Sequence, residues 1–479
     1  MSRFVRQSKV RHVYCVAGKP EEQYSNFRLS TATGDHNYIK ANTQYLAVPV
    51  QSGGGALAVH PLDKVGRIDA QPPVLDGHKG PVLDFEFNPM HENIIATGGD
   101  DCTVKVWGVP PGGLTASQSE PLVDLHEHQR KITVLRFHPT AEHVLASGSA
   151  DQHVKLWDVN TGASKCNILH KEMLLDVVWS LDGSMLATSC KDKMMKLCDP
   201  RSGEAVAEVE AHSGTKTTKL TFLGSNNNLC SVGFTKQSKR QYKIWDPRKL
   251  AAEVTVCDLD QSAGVIMPFY DEGTNLLFLG GKGDGNIRYF ELVDEAPFQF
   301  LVNDYRATSP CRGLCILPTR AMQVMKCEVV RMLKLTANTV EPLSFICPRK
   351  SDLFQADLYP DCYAGKPAMS ADDFFAGKPI KKPLMMSMDP DKADKTAKPK
   401  AATAPAPVVS AMPKAAPAPA SPVAADKAAD KPAAKPATPP GGASSKSSKE
   451  LQSELDKANA YIDKLVAALE KAKVKVPEP

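Results

Sequence analysis

His128, Ser147 and Asp151 are the residue types of a nucleophilic triad: a hydroxyl, an imidazole to take its proton and a carboxylate to orient the ring. His78, Thr97 and Asp101 repeat the set, with a threonine supplying the hydroxyl. In both sets a tryptophan, Trp107 or Trp157, follows the histidine by 29 residues and the aspartate by six. A catalytic centre is rarely built twice in adjacent repeats. The duplication therefore favours a structural role, a buried hydrogen-bond network that ends on the tryptophan N–H and ties strands together. Trp245, in Ile244-Trp245-Asp246, closes a third and longer copy.

The other candidate chemistries are weaker. Gly280-Gly281-Lys282-Gly283-Asp284-Gly285 has the glycines of a phosphate loop, but a strand pattern (Asn286 to Phe290) follows where a helix N-terminus is needed, and no Ser or Thr follows Lys282. His126-Glu127-His128 has no further ligands at zinc spacing. Neither paired carboxylates nor a GxSxG elbow is present. The chain reads as a binding platform, not an enzyme, with no cofactor and no metal expected.

The elements that must position these residues are short strands. Leu83, Phe85 and Phe87 alternate with Val82, Asp84 and Glu86, the period of a half-buried strand. Asn88-Pro89 and His138-Pro139 stop such strands, because proline cannot donate to a ladder. Ile94 to Asp101 and Val144 to Asp151 are apolar runs entering tight turns, and Thr103 to Trp107 and His153 to Trp157 follow as the next strands. A four-stranded antiparallel unit recurring every 40 to 50 residues is a propeller blade. Degenerate copies run from Asp192 to Cys198 and from Asp284 to Phe290, and a hairpin flanks Gly53-Gly54-Gly55. The expectation is an all-β, seven-bladed β-propeller over residues 1–347, closed by a first strand at Arg11 to Cys15. Closure of this kind removes exposed sheet edges.

Residues 348–388, with Leu353, Phe354, Leu358, Tyr359, Phe374 and Phe375, are too apolar for a solvated linker and read as an extension packed on the ring. Residues 389–446 are rich in Ala, Pro and Lys and read as a disordered linker. The stretch from Asp389 to Lys449 carries ten lysines against five aspartates, so the overall charge of +4 sits in this tail and gives no reason to expect a nucleic-acid partner. Over 447–476, Leu451, Leu455, Ala458, Ile462, Leu465, Leu469 and Ala472 repeat at 4-3 spacing, a three-heptad coiled coil. Tyr461, Val466 and Ala468 widen its apolar stripe, which favours a homo-oligomer of three or four helices. No transmembrane segment is predicted, and twelve scattered cysteines without a CxxC pair suit a reducing cytoplasm.

Several stretches resemble one family. Val5-Arg6-Gln7-Ser8-Lys9-Val10-Arg11-His12-Val13, Met267 to Asp271, Gly281 to Phe290, and above all Pro348-Arg349-Lys350-Ser351-Asp352-Leu353-Phe354-Gln355 with Asp357 to Asp361 are similar to coronins, WD-repeat actin-binding proteins. The resemblance spans residues 1 to about 363, and the tail repeats the family's layout. It implies a WD-repeat propeller that binds the sides of actin filaments in the cytoplasm, cytoskeleton and cell cortex. It also implies work with the branch-nucleating actin-related protein complex and with cofilin. Arg28 occupies the position of a basic residue that coronins use in filament contact. The coil departs from the family's charged trimer signature at Tyr461 to Val466, and the linker has no obvious acidic motif. An alternative reading is a trafficking or signalling scaffold to which actin is incidental.

Overall fold

The computed structural model describes residues 6–224 and 227–392. Seven blades, each an antiparallel ladder, follow one another along the chain, and a separate two-stranded sheet joins Cys362–Tyr363 to Met385–Met386. Blade 1 consists of Lys40–Ala41, Tyr45–Val50, Gly55–Pro61 and Val74–His78. Blade 2 runs from Val82–Phe87 to Val123–Leu125, blade 3 from Ile132–Phe137 to Ala163–Leu169, and blade 4 from Leu174–Trp179 to Ala205–Glu210. Blade 5 runs from Lys219–Leu223 to Glu253–Asp260 and blade 6 from Ile266–Asp271 to Gln299–Arg306. Blade 7 takes Gly313–Ile316, Glu328–Leu335 and Thr339–Ile346 from the end of the ring, and Tyr14–Ala17 from its start. The protein is thus a seven-bladed β-propeller. One short α-helix, Ala371–Phe375, occurs among the described residues.

The ring closes by pairing Tyr14 with Ile346 and Ala17 with Leu343. The closing strand lies three residues later than expected. Arg11 and His12 form a turn instead, while Val10 and Val13 are buried beneath it. Past the closing strand, Tyr24–Ser25 pairs with the other end of Thr339–Ile346 and with Gly66–Arg67. The first residues therefore strap blade 7 to blade 1.

Apolar burial sits between blades rather than within them. Trp107 packs with Tyr45, Leu57 and Leu75 of blade 1, and Trp157 with Ala96, Val104 and Val106 of blade 2. Trp245 packs with Ala187, Met195 and Leu197 of blade 4. Each indole thus covers the face of the preceding blade, which supplies a large apolar area at these three seams.

The innermost strands are not half-buried, contrary to the alternation of Val82 to Phe87. Asp84 is 3% exposed. Its face looks across the ring's centre at neighbouring inner strands, so polar residues there must pair with one another. Asp84 accepts from Lys40 Nζ at 3.0 Å and Arg136 at 3.2 Å, and Arg136 reaches Asp176 at 3.3 Å. Lys219 lies 3.7 Å from Asp176. Charge alternates from blade 1 to blade 5 around the hub.

Parts of the stretch 348–392 pack on the ring. Phe374 is fully buried, 4.6 Å from the His138 ring and edge-on to Trp179. Ser370 caps its short helix by accepting from the Asp373 amide. Leu358 and Tyr359 are buried, and the Tyr359 hydroxyl donates to Glu328 O at 3.0 Å. The linker beyond Lys392 and the heptad positions Leu451, Leu455, Ala458, Ile462, Leu465, Leu469 and Ala472 lie outside the described residues.

Candidate functional site

His128 Nδ1 stands 2.8 Å from Asp151 Oδ2, and its Nε2 stands 2.7 Å from Ser147 Oγ. Distances alone would satisfy a triad. The surroundings do not. Ser147 is 0% exposed, and its oxygen already accepts from Trp157 Nε1 at 2.7 Å. No substrate carbonyl has a path to that hydroxyl. His78 repeats the geometry, 2.7 Å from Thr97 Oγ1 and 3.0 Å from Asp101, and Trp107 Nε1 donates to the same threonine at 2.9 Å.

The carboxylates also fix the loops between blades. Asp101 accepts from the Lys79 amide and Asp151 from the Gln129 amide, at 2.8 and 2.9 Å. Burial by itself would raise the Asp151 carboxyl. The Gln129 amide and His128 more than offset it and hold the group below the usual carboxylate range. Burial depresses the basicity of His128, with Asp151 opposing.

Two members of the series escaped the sequence reading. His212 Nε2 meets Ser231 Oγ at 2.9 Å, and Trp245 Nε1 donates to that oxygen at 2.9 Å. Here Gln241 replaces the aspartate, 3.2 Å from His212 Nδ1. The amide nitrogen can only donate, so His212 must carry its proton on Nε2. His170 meets Thr188 at 2.9 Å in blade 4, where Cys198 fills the tryptophan position. The signal was present as His-to-Ser/Thr separations of 18 or 19 residues, but a search anchored on tryptophan passes over it. In blade 6 the pattern has become ionic: Asp284 pairs with Arg240 at 2.6 Å, and Arg240 also holds Asp260.

The glycine-rich turn offers no phosphate cradle. Lys282 Nζ donates to Gly34 O and lies 4.1 Å from the Tyr38 ring centroid. Burial brings its pKa down to about 8. His126 is exposed beside Asp124, 3.2 Å away, while His128 faces inward. Burial pushes the thiols of Cys190 and Cys311 up to about 12, so neither is a ready thiolate.

The surface that remains is one face of the ring. Arg28 is exposed between Phe27 and Leu29, which are 5% and 9% exposed. The Phe27 amide donates to Asn338 O, Gln51 N donates to Arg28 O at 2.8 Å, and Ser30 N donates to Pro49 O. The backbone is pinned on both sides, while Arg28 itself is exposed. Among the described residues no carboxylate lies within 4 Å of it. Gln51 ends a strand on the side that carries the loops between blades. That side presents Lys79, Arg130, Lys131, Lys171, Lys191 and Lys216 as exposed cations, against Asp35, Asp100, Glu127 and Glu172 as exposed acids. A face of this balance suits an acidic macromolecule.

Comparison with known proteins gives a consistent picture. Residues 3–67 match a family described as "Domain of unknown function (DUF1899)". Residues 71–108, 119–158 and 167–199 match "WD domain, G-beta repeat", and 340–379 match "Type of WD40 repeat". Coronin-A of Dictyostelium discoideum is 45% identical over 379 residues, which is 79% of this chain and 84% of that protein. The WD40 domain of Toxoplasma gondii coronin superposes with a TM-score of 0.75 at 34% identity, covering 80% of this chain and 98% of that one. A chain of the mitotic checkpoint complex shares only the fold, with a TM-score of 0.53 at 14% identity over 69% of this chain and 96% of its own. No helix among the described residues is long and apolar enough to cross a membrane.

Proposed function

This chain belongs to the coronin family, and on that premise we propose that it binds the sides of actin filaments through the face that carries Arg28. The observation that carries this reading is Arg28 itself. It is an exposed cation without a carboxylate partner among the described residues, held by two buried neighbours on a strap fixed to blades 7 and 1. An arginine committed to a structural ion pair would not be free to reach a partner's carboxylate. The lysine-bearing loops on the same side add a longer-range field for an acidic filament.

The coil over 447–476 supplies the second half of the mechanism. Several weak propellers on one coil gain effective concentration along a filament, which tightens binding and allows crosslinking. Cooperation with the branch-nucleating actin-related protein complex and with cofilin belongs to the same proposal.

Filament co-sedimentation tests both halves. In the full-length protein, Arg28→Asp is expected to weaken binding at least tenfold, and the remaining affinity to fall as salt rises. A chain ending before Lys449 is expected to lose the avidity increment but keep sensitivity to Arg28. Unchanged binding by Arg28→Asp would favour the scaffold reading, with actin incidental. Unchanged binding by the shortened chain would remove the avidity mechanism.

A further inference from the structure

On the edge of the seam between blades 2 and 3, His91, Glu142 and His143 bring three ligand atoms within 4.8 Å of one another. Glu142 Oε1 is 2.7 Å from His91 Nε2 and 3.4 Å from His143 Nε2. The two imidazoles stack with centroids 5.5 Å apart at 15°. We propose that these three residues form a surface site for a divalent transition-metal ion of the zinc type.

The donor chemistry fits. Two imidazole nitrogens and one carboxylate oxygen are a familiar three-ligand set for zinc, and a solvent molecule takes the fourth position. With metal–ligand bonds of about 2.0–2.2 Å, tetrahedral ligand atoms stand roughly 3.4 Å apart. The Glu142–His143 separation already has that value. The His91 contact has to open by about 0.7 Å and its ring has to swing so that the two imidazole nitrogens, now within 4.8 Å, converge on one point, which a ring with 38% of its side chain exposed can do. On metal binding His91 Nε2 releases any proton it donates to Glu142, so the carboxylate exchanges a hydrogen bond for a metal bond. Asp158, near His143, adds a further negative charge to the locality.

The backbones under all three ligands are already fixed. His91 N donates to Asn88 Oδ1 at 3.1 Å, and Ile94 N donates to His91 O at 3.0 Å. Glu142 N donates to Met369 O at 3.0 Å, and Val159 N donates to His143 O at 2.8 Å. His143 sits in the left-handed region at φ +61°, which histidine enters more readily than most residues, and this turn sets where its ring leaves the chain. The Met369 bond also joins the site to the segment packed on the ring, so a bound ion would tighten both the seam and that docking. His91 and Glu142 are 51 residues apart, which is why no spacing motif reveals the cluster.

The test is calorimetric titration of chelator-treated full-length protein with zinc chloride alone, comparing wild type with Glu142→Gln and His143→Asn. Asparagine tolerates the left-handed turn, so that variant keeps the backbone. His91→Gln is the substitute if either variant melts early without zinc. One equivalent in the wild type, at least tenfold weaker in each variant, together with a zinc-dependent rise in Tm that the variants lack, is the expected result. No saturable binding by the wild type at micromolar zinc, or equal binding by the variants through the free thiols, would overturn the assignment.

Discussion

Blades 3 and 4 are neighbours with the same four-stranded ladder, yet only blade 3 has the complete polar network. In blade 3, Asp151, His128, Ser147 and Trp157 form an unbroken chain of hydrogen bonds. In blade 4 the chain stops after one link. His170 reaches Thr188, but its Nδ1 faces Ile168 O at 3.3 Å, Asp192 Oδ2 has no partner, and Cys198 replaces the indole. Both blades nonetheless bury their inner faces completely at positions such as Leu145, Val154, Leu174 and Leu186. The ring therefore does not depend on the network for its shape, which apolar burial between blades provides. The network adds local rigidity where it is intact, and in blades 2 and 3 it holds the loops that carry Lys79 and Gln129.

The strongest way to break this comparison is at the aromatic position. Trp157→Ala removes a fully buried indole at the seam with blade 2 and is expected to cost about 3–5 kcal/mol, whereas Cys198→Ala costs roughly 1 kcal/mol. Denaturant midpoints of the two variants check this, and equal losses would mean that the seams are not built on the tryptophans. Acid gives the next largest effect. Burial pushes His170 down to about 4 and His212 to about 3, and neither has a carboxylate on Nδ1 to offset it. The unfolded chain binds protons on these rings below about pH 6.5 while the folded chain does not, so stability falls as pH drops from 7 toward 4. At pH 5 each ring costs up to about 2 kcal/mol. Unfolding midpoints between pH 5 and 7 are expected to decline, less steeply in His170→Gln. A flat profile would show that these rings are not held neutral.

The finest test separates the two aspartates. Asp151→Asn removes charge-assisted bonds to His128 and the Gln129 amide and is expected to cost about 1–3 kcal/mol. Asp192→Asn keeps its one bond, to the Met194 amide, and is expected to stay within about 0.5 kcal/mol of wild type. Comparable losses would mean that Asp192 makes a contact in solution like that of Asp151.

The strands and the ring were legible because each blade repeats a local pattern of apolar alternation, turn residues and an aromatic at fixed distance. The network residues His78, Thr97, Asp101 and Trp107 were legible for the same reason. His170 and His212 were obscured once cysteine or a longer loop disturbed the spacing. The closing strand was placed three residues early, since Arg11 to Cys15 has strand-forming residues but its first part is taken up by a turn. Arg28 came from resemblance, and nothing local to it distinguishes it from any other surface arginine.

The sequence by itself determined the repeat, and with it a closed propeller whose apparent triads are buried struts, because hydrophobic period and turn chemistry act over a few residues. Only the tertiary structure decided what stands opposite what. It set the alternating charges of Lys40, Asp84, Arg136 and Asp176 around the hub, the exposed position of Arg28 and the meeting of His91 with Glu142 and His143. Those relations join residues tens to hundreds of positions apart, and closing the ring is the physical event that brings them into contact.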